Sequence, residues 1–371
     1  MSTSSAFHGS LNRDVNPDEA KRFSFSRSRA RGLQKAVHAA YIAQQLSIFL
    51  PAVIAQRALR GVSGMSAKPP EPEQLEKLHG RLRALLQQDL ANVHEGLYPQ
   101  SLLFQFPMGE YVKRIPELVR DLPNVYARRR EGAYRDLPDA AADYPPYFRR
   151  TFHWQTDGYL SRRSARLYDV GVEFLFAGTA DVMRRQVIPP ITRFLSERRS
   201  KDPKAKRARL LDVACGTGRT LAQIHLAHPD VRLFGMDLSP YYLHESRQTL
   251  RDVDDVSLVA DNAEQMPFRD GSFDIVSCVY LFHELPKNAR RNVMREMRRV
   301  LAPGGLLVIE DSAQWSESAD LGFSLERFPQ EFHEPFYQDY LKDPLEDALT
   351  ECGFEVQAVE GHFVAKVVVA R

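Results

Sequence analysis

The sequence predicts an α/β protein: a mostly parallel sheet of seven strands between helical layers, ending on an antiparallel strand and preceded by a helical N-terminal region. Three observations predict it. From about residue 206, seven short apolar runs appear: RLLDVA, VRLFGMD, VSLVAD, FDIVSCVY, GLLVIED, FEVQAV and FVAKVVVA. Helical stretches separate most of them, which makes parallel strands with helices on both faces. The last two runs are joined by residues 360–362 only, and a parallel crossover needs a dozen residues or more, so that pair is antiparallel. Lastly, 371 residues exceed one average domain, and the part before 206 carries helical spacing instead of alternating runs.

In chain order, residues 1–26 read as a mobile arm. Over 33–60, Leu33, Val37, Ala40, Tyr41 and Ile48 fall on one helix face, and Pro51 is expected to end or kink that helix. Residues 1–60 hold nine Lys/Arg against three acids, although the whole chain carries only +2. This basic helix either docks on the rest of the protein or lies on an anionic membrane. The first 20 residues are polar, with no secretory apolar segment. The apolar stretch at 46–54 is interrupted by Pro51 and falls short of the about 20 residues a span needs. The expectation is a cytoplasmic protein, in contact with a membrane through residues 1–60 only under the second of these readings. Residues 61–72 (GVSGMSAKPPEP) read as a linker. Over 73–97, Leu75, Leu78, Leu82, Leu85, Val93 and Leu97 recur at helical spacing, with Gly96 as a stop. Shorter helices are expected at 110–120 and 124–130. The expected divisions are therefore 1–26, a helical region 27–150, a helical lid or adapter 151–205, and a core 206–371 with an insertion at 312–343.

Composition excludes several classes. With 43% hydrophobic and 26% charged residues the chain is neither wholly disordered nor a polytopic membrane protein. A net charge of +2 and the lack of a recognisable RNA-binding module give no case for a nucleic-acid partner. Cys215, Cys278 and Cys352 form no CxxC pair, so neither a disulfide framework nor a thiolate zinc site is expected, and no metal site is assigned.

The chemistry gathers at the carboxyl ends of the runs. The first run passes into Cys215-Gly216-Thr217-Gly218 and then a helix; glycine there turns the chain sharply and lets backbone approach a ligand. Asp237 ends the second run nineteen residues after Gly218, placed to accept both hydroxyls of a ribose. Asp261, Asn262 and Ala263 end the third, where an acid or amide can meet an adenine's exocyclic amine.

In order and spacing, LLDVACGTGRT, FGMDLSP, ADNAEQMPF, FDIVSCVYLFHELP and RVLAPGGLLVIED resemble the successive motifs of class I S-adenosylmethionine-dependent methyltransferases, over about residues 206–371. The small-molecule group that includes the ubiquinone/menaquinone C-methyltransferases is most similar. The resemblance implies a Rossmann-like seven-stranded sheet and S-adenosyl-L-methionine as cofactor. It implies that Asp212 supports the methionine end through the turn and that Gly216 and Gly218 allow close approach. Asp237 would accept from the ribose, with Leu238 against the adenine and Asp261, Asn262 and Ala263 at its edge. Val279 and Tyr280 would line the methyl-donating end. Ala214 stands where the family often has a third glycine.

A sulfonium is a strong methyl donor, so alignment carries most of the catalysis and a base is optional. His283, in LFHELP, is the tentative base, since an imidazole pKa near 6.5 suits proton removal; packing at the next helix is the competing reading. Glu310 and Asp311 end the fifth strand and serve either an acceptor or a loop. Residues 152–161 bring together His153, Trp154, Gln155, Asp157 and Tyr159, a density suited to a lid over an acceptor or to a buried adapter. Tyr168 follows in a helix that could close over the cofactor. The insertion 312–343 carries Trp315, Phe323, Phe328, Phe332, Phe336, Tyr337 and Tyr340, which suit a lipophilic acceptor or the core of a small helical subdomain. The expectation is methyl transfer to a small, aromatic or lipophilic molecule; the alternatives are a protein methyltransferase and a non-catalytic S-adenosylmethionine-binding regulator. A nucleobase amino-methyltransferase is disfavoured, because Tyr280-Leu281-Phe282-His283 replaces the Asn/Asp-Pro-Pro-aromatic turn.

Overall fold

The structure, a computed structural model, describes residues 17–62, 71–137 and 142–371. Residues 1–16 of the expected arm and 63–70 of the expected linker lie outside these. The chain divides into two units, 1–47 and Ile48–Arg371.

Helix α1 runs Pro17–Val62, so residues 17–26, expected as mobile arm, are helical. It also continues through Pro51, contrary to expectation. Pro51 is exposed, and a 46-residue helix outlasts the loss of one backbone hydrogen bond. As a result Lys35–Arg57 forms one apolar helical stretch, with mean hydropathy 1.4, that is long enough to cross a membrane by length and composition. That overturns the reading that Pro51 cuts it short.

In the second unit, α2 (Pro72–His94) starts where Gln74 Oε1 accepts from the Glu71 N–H at 2.8 Å. The two short helices expected at 110–130 are one, α3 (Met108–Glu131), which passes through Pro116 and Pro123 and stops at Gly132 with φ 64°. Then come α4 (Arg162–Leu175), α5 (Ala180–Arg184) and α6 (Ile188–Lys201). The sheet region follows: β1 (Arg209–Val213), α7 (Arg219–Ala227), β2 (Arg232–Asp237), α8 (Pro240–Thr249), β3 (Val256–Ala260), β4 (Phe273–Val279), α9 (Lys287–Val300) and β5 (Leu301–Ser312). The insertion forms α10 (Trp315–Ser318), α11 (Gly322–Glu331) and α12 (Tyr337–Leu341). Last are α13 (Leu345–Glu351), β6 (Val356–His362) and β7 (Ala365–Ala370).

The strand order is β3-β2-β1-β4-β5-β7-β6, with β7 antiparallel to both neighbours and the other pairings parallel. β6 extends to His362, so the hairpin turn falls at Phe363 and Val364, later than the expected 360–362. Side chains alternate along each strand. Leu210 and Ile275 face a core shared with Ile191 of α6 and Ile224 of α7; Leu211 and Val276 face the other, shared with Met294 of α9 and Leu349 of α13. Of the helices before 206, α2 and α6 contribute to this packing through Leu78, Val93 and Ile191. Arg81 of α2 donates to the Phe363 carbonyl at 3.2 Å and to Ser318 and Asp320 at 3.0 and 2.6 Å, tying α2 to the hairpin and the insertion. The order reverses direction between β1 and β4, and open α/β sheets bind ligands at the carboxyl edge of such a point.

Candidate active site

Register brings the candidate residues together. Asp212 of β1 sits beside Gly235 and Ser277, so the loops leaving β1, β2 and β4 emerge side by side. They wall a cleft of about 840 Å³, counted with its open mouth. Ala214, Gly216, Asp237, Leu238, Asp261, Asn262, Ala263 and Val279 all line it, as do Tyr159 and Tyr280.

After β1 the backbone enters the left-handed region at Ala214 (φ 57°), Gly216 (φ 54°) and Gly218 (φ 78°). A Cβ on Gly216 would project into open space, the kind of cradle a ligand fills. A Cβ on Gly218 would meet Ser246 Oγ at 2.5 Å, so this glycine serves helix packing and does not line the cleft. Asp212 is buried too; it accepts from Ser277 Oγ at 2.7 Å, and burial raises its pKa to about 7. Its place is beneath the turn.

Asp237 is held by backbone alone. Its Oδ2 accepts from the Gly216 N–H at 2.9 Å and its Oδ1 from the Ser239 N–H at 2.8 Å. Burial lifts its pKa to about 6, against these two bonds. At neutral pH it is a carboxylate with a lone pair left on each oxygen, which suits two neighbouring hydroxyls. Beside it, Asp261 Oδ1 accepts from the Asn262 N–H at 2.8 Å, and Asn262 Oδ1 from the Glu264 N–H at 2.9 Å. The loop after β3 is therefore fixed.

The opposite wall is aromatic. Tyr147, Phe148, Phe152, Tyr159 and Tyr168 line the cleft from residues 142–175, and Tyr242 from α8. Thr217 Oγ1 donates to Asp169 of α4 at 2.8 Å, and Ser239 Oγ donates to the Tyr159 carbonyl at 2.5 Å. Tyr147 donates to Glu264 at 2.6 Å. Residues 142–175 are thus bonded to the loops after β1, β2 and β3. Tyr147, Phe148, Tyr242 and Glu284 were not singled out from sequence; the aromatic run YPPYF at 144–148 was the available signal for the first two.

Other expected acceptor residues lie elsewhere. Trp154 packs on His333 (ring centroids 5.0 Å apart), Gln155 donates to the Gly158 carbonyl at 3.1 Å, and Asp157 shapes the turn at φ 65°. Glu310 is buried behind Tyr280, and burial raises its pKa to about 8, so it is largely neutral at pH 7. Trp315 packs against Gly322, and none of the insertion's aromatics lines the cleft. Tyr337 and Tyr340 belong to the main core, where Tyr337 meets Ser312 Oγ at 2.7 Å. Burial accounts for these two rings, while Trp315, Phe323, Phe328, Phe332 and Phe336 are only half-buried.

His283 does not line the cleft but lies just behind Glu284, which does. Asp311 Oδ1 meets His283 Nδ1 at 2.6 Å, while Asp311 Oδ2 accepts from the Leu281 and Phe282 N–H groups at 3.1 and 2.6 Å. Burial opposes the imidazolium, but Asp311 outweighs it and lifts the pKa to about 9. Unliganded, His283 therefore holds its proton at pH 7. Glu284 Oε1 accepts from Tyr159 at 2.5 Å.

The fold, with its antiparallel β7, and the cleft at the carboxyl edge define a class I methyltransferase-type domain. Residues 210–305 match the sequence model of the family described as "Methyltransferase domain". Among curated proteins, the chain is 36% identical over 120 residues to demethylmenaquinone methyltransferase of Geobacillus stearothermophilus, covering 32% of this chain and 50% of that one. It is 34% identical over 110 residues to the protein of the same name from Staphylococcus aureus (strain JH9), covering 29% and 45%. The chain thus spans about half the length of the curated relatives it matches. Among solved structures, a putative methyltransferase from Bacillus halodurans C-125 is 29% identical, with a TM-score of 0.34, over 45% of this chain and 71% of that one.

Proposed function

We propose that the chain is an S-adenosyl-L-methionine-dependent methyltransferase whose acceptor is a small lipophilic molecule. One observation carries the cofactor assignment: Asp237, bonded only to backbone N–H groups, faces the cleft beside the open cradle at Gly216. Asp237 would hold the ribose diol, Asp261, Asn262 and Leu238 the adenine, and Gly216 and Val279 the sulfonium end. When bound, the cofactor supplies an electrophilic methyl group. The chain's own part is to orient and to exclude water. The ring wall suits an apolar, planar acceptor, in keeping with the names of the relatives. The expected test result is transfer of label from methyl-labelled S-adenosylmethionine to a product in a lipid extract, found by mass spectrometry and lost in Asp237→Ala. Tight binding of S-adenosylhomocysteine with no labelled product from any acceptor pool would favour the regulator instead.

A lipophilic acceptor also gives a reason for membrane contact. In the second unit, Leu50 and Ile54 of α1 are exposed, and so are Met108, Val112, Ile115 and Val119, one stripe of α3 at helical spacing. The same helix carries exposed Lys113, Arg120 and Arg130, of which Lys113 and Arg130 pair with the neighbouring acids Glu110 and Glu131. We read it as a docking face for an anionic bilayer. Ile115→Glu with Val119→Glu is expected to abolish co-sedimentation with anionic vesicles; unchanged sedimentation removes α3 from that role.

A further inference from the structure

Behind the cleft wall, four side chains from distant parts of the sequence converge. His153 comes from the turn Phe152–Trp154, His283 and Glu284 from the turn Phe282–Glu284, and Glu334 from between α11 and α12. His153 Nε2 lies 3.6 Å from Glu284 Oε1, and His153 Nδ1 lies 3.1 Å from Glu334 Oε1. His283 Nε2 lies 4.0 Å from the same Glu284 oxygen. One donor atom each from His153, Glu284 and Glu334 falls within 4.8 Å of the others.

Glu334 is the group the fold does not account for. Its side chain is 0% exposed, and neither carboxylate oxygen has a hydrogen-bond partner. His153 Nδ1 is close but equally unpartnered, because the approach misses hydrogen-bond geometry. Among the described residues no Lys or Arg pairs with Glu284, Glu334 or Asp311. Three acids thus face two imidazoles in a buried place, a strongly unfavourable state unless protons or a cation neutralise it. The backbone is also strained here: His153 (φ 54°) and Trp154 (φ 61°) are consecutive non-glycine residues in the left-handed region, a conformation retained where it aims a side chain. His283 has its Nδ1 held by Asp311, which leaves Nε2 for a ligand; a carboxylate fixing an imidazole in this way is the usual support of a metal ligand.

We propose that His153, His283, Glu284 and Glu334 hold one divalent transition-metal ion of the zinc, iron or manganese class. Two imidazoles with two carboxylates suit those ions better than magnesium or calcium, which favour oxygen alone. Metal–ligand bonds of about 2.0–2.2 Å put neighbouring donors roughly 3–3.6 Å apart. One nitrogen of His153 and one oxygen each of Glu284 and Glu334 already lie within 4.8 Å of one another, and His283 Nε2, 4.0 Å from Glu284, closes in from that side. The ion takes the place of the protons that otherwise neutralise the group. Because Glu284 also lines the cleft, the ion's shell borders the space assigned to the acceptor, where it would bind an acceptor oxygen. That role rests on the methyltransferase reading; binding of the ion does not.

The test uses the full-length protein, stripped with EDTA and titrated with Zn²⁺ by calorimetry, with S-adenosylhomocysteine affinity measured in parallel. The expected result is one equivalent of Zn²⁺ bound, weakened about 10–100-fold in Glu334→Gln and in His153→Gln, with S-adenosylhomocysteine affinity changed less than about threefold. Co²⁺ added to the stripped wild-type protein is expected to give an intense visible band, which needs no variant to fold. No uptake, or only the faint band of hydrated Co²⁺, overturns the proposal. So does uptake that both variants retain, which marks an adventitious ion only. Zn²⁺ binding without S-adenosylhomocysteine binding would instead sink the methyltransferase reading and leave the metal site standing.

Discussion

The two walls of the cleft are built differently. On the sheet wall, cleft-facing groups sit within a few residues of a strand end, and their positions follow from ladder hydrogen bonds and tight turns. On the lid wall, large rings position one another: Tyr159 lies 5.6 Å from Phe148, 5.6 Å from Phe152 and 5.3 Å from Tyr242, centroid to centroid. A rigid wall suits a fixed cofactor, and a wall of mutually packed rings suits an acceptor that differs between enzymes. If this division is right, the walls separate in binding experiments. Asp237→Ala is expected to weaken S-adenosylhomocysteine by about 100-fold, near 3 kcal/mol, because hydrogen bonds to a charged group are lost. Phe148→Ala is expected to leave that affinity within about threefold and to raise the acceptor's KM about tenfold. Equal losses of S-adenosylhomocysteine affinity in both variants would break the comparison.

A smaller effect comes from pH. Burial lifts Asp237 to about 6 and Asp212 to about 7, so both are raised above their unfolded values. Raised acids stabilise the empty fold below about pH 4, and that contribution is lost as pH rises through 6 to 7. Binding of a ribose diol needs the Asp237 carboxylate, so affinity moves the other way, falling up to about tenfold per unit below pH 6. The empty protein is therefore expected to lose stability from pH 5 to pH 8 from these two groups, while the stabilisation given by S-adenosylhomocysteine grows. Calorimetry and thermal melts across that range read both. Affinity that is flat from pH 5 to 8 would take the diol away from Asp237.

The same contrast explains what was legible in the sequence. That Asp237, Asp261 and Gly216 would line one cleft was legible because strand and turn are neighbours in the chain. The antiparallel β7 was legible from a loop too short for a crossover. For Trp315 and the other insertion aromatics the sequence leaves both readings open, because a ring wanted by a core and a ring wanted by a ligand look alike there. Tyr147 and Phe148 escaped because only tertiary packing brings residues 142–168 over the ends of β2 and β3. The helix through Pro51 escaped because a local breaking signal lost to a long helical context.

The smallest expected effect tests the sheet wall at its tightest point. Ala214 holds φ 57°, a conformation that costs a residue with a Cβ about 1–2 kcal/mol. Glycine removes that strain but adds freedom to the unfolded chain, which takes back about 0.4–1 kcal/mol. Ala214→Gly should therefore stabilise the protein by roughly 0.5 kcal/mol by chemical denaturation, with S-adenosylhomocysteine affinity little changed. Gly216→Ala is the opposite experiment on the same turn. Its φ of 54° is equally left-handed, yet the new Cβ meets no protein atom within 4 Å and enters the cleft. It should cost about 1 kcal/mol of stability from the backbone alone. It should also weaken S-adenosylhomocysteine well beyond what that strain explains. Moving one methyl group two residues along this turn thus separates a position that only bends the chain from one that makes room for the ligand. If the two variants change affinity alike, the cradle at Gly216 is not where the cofactor lies.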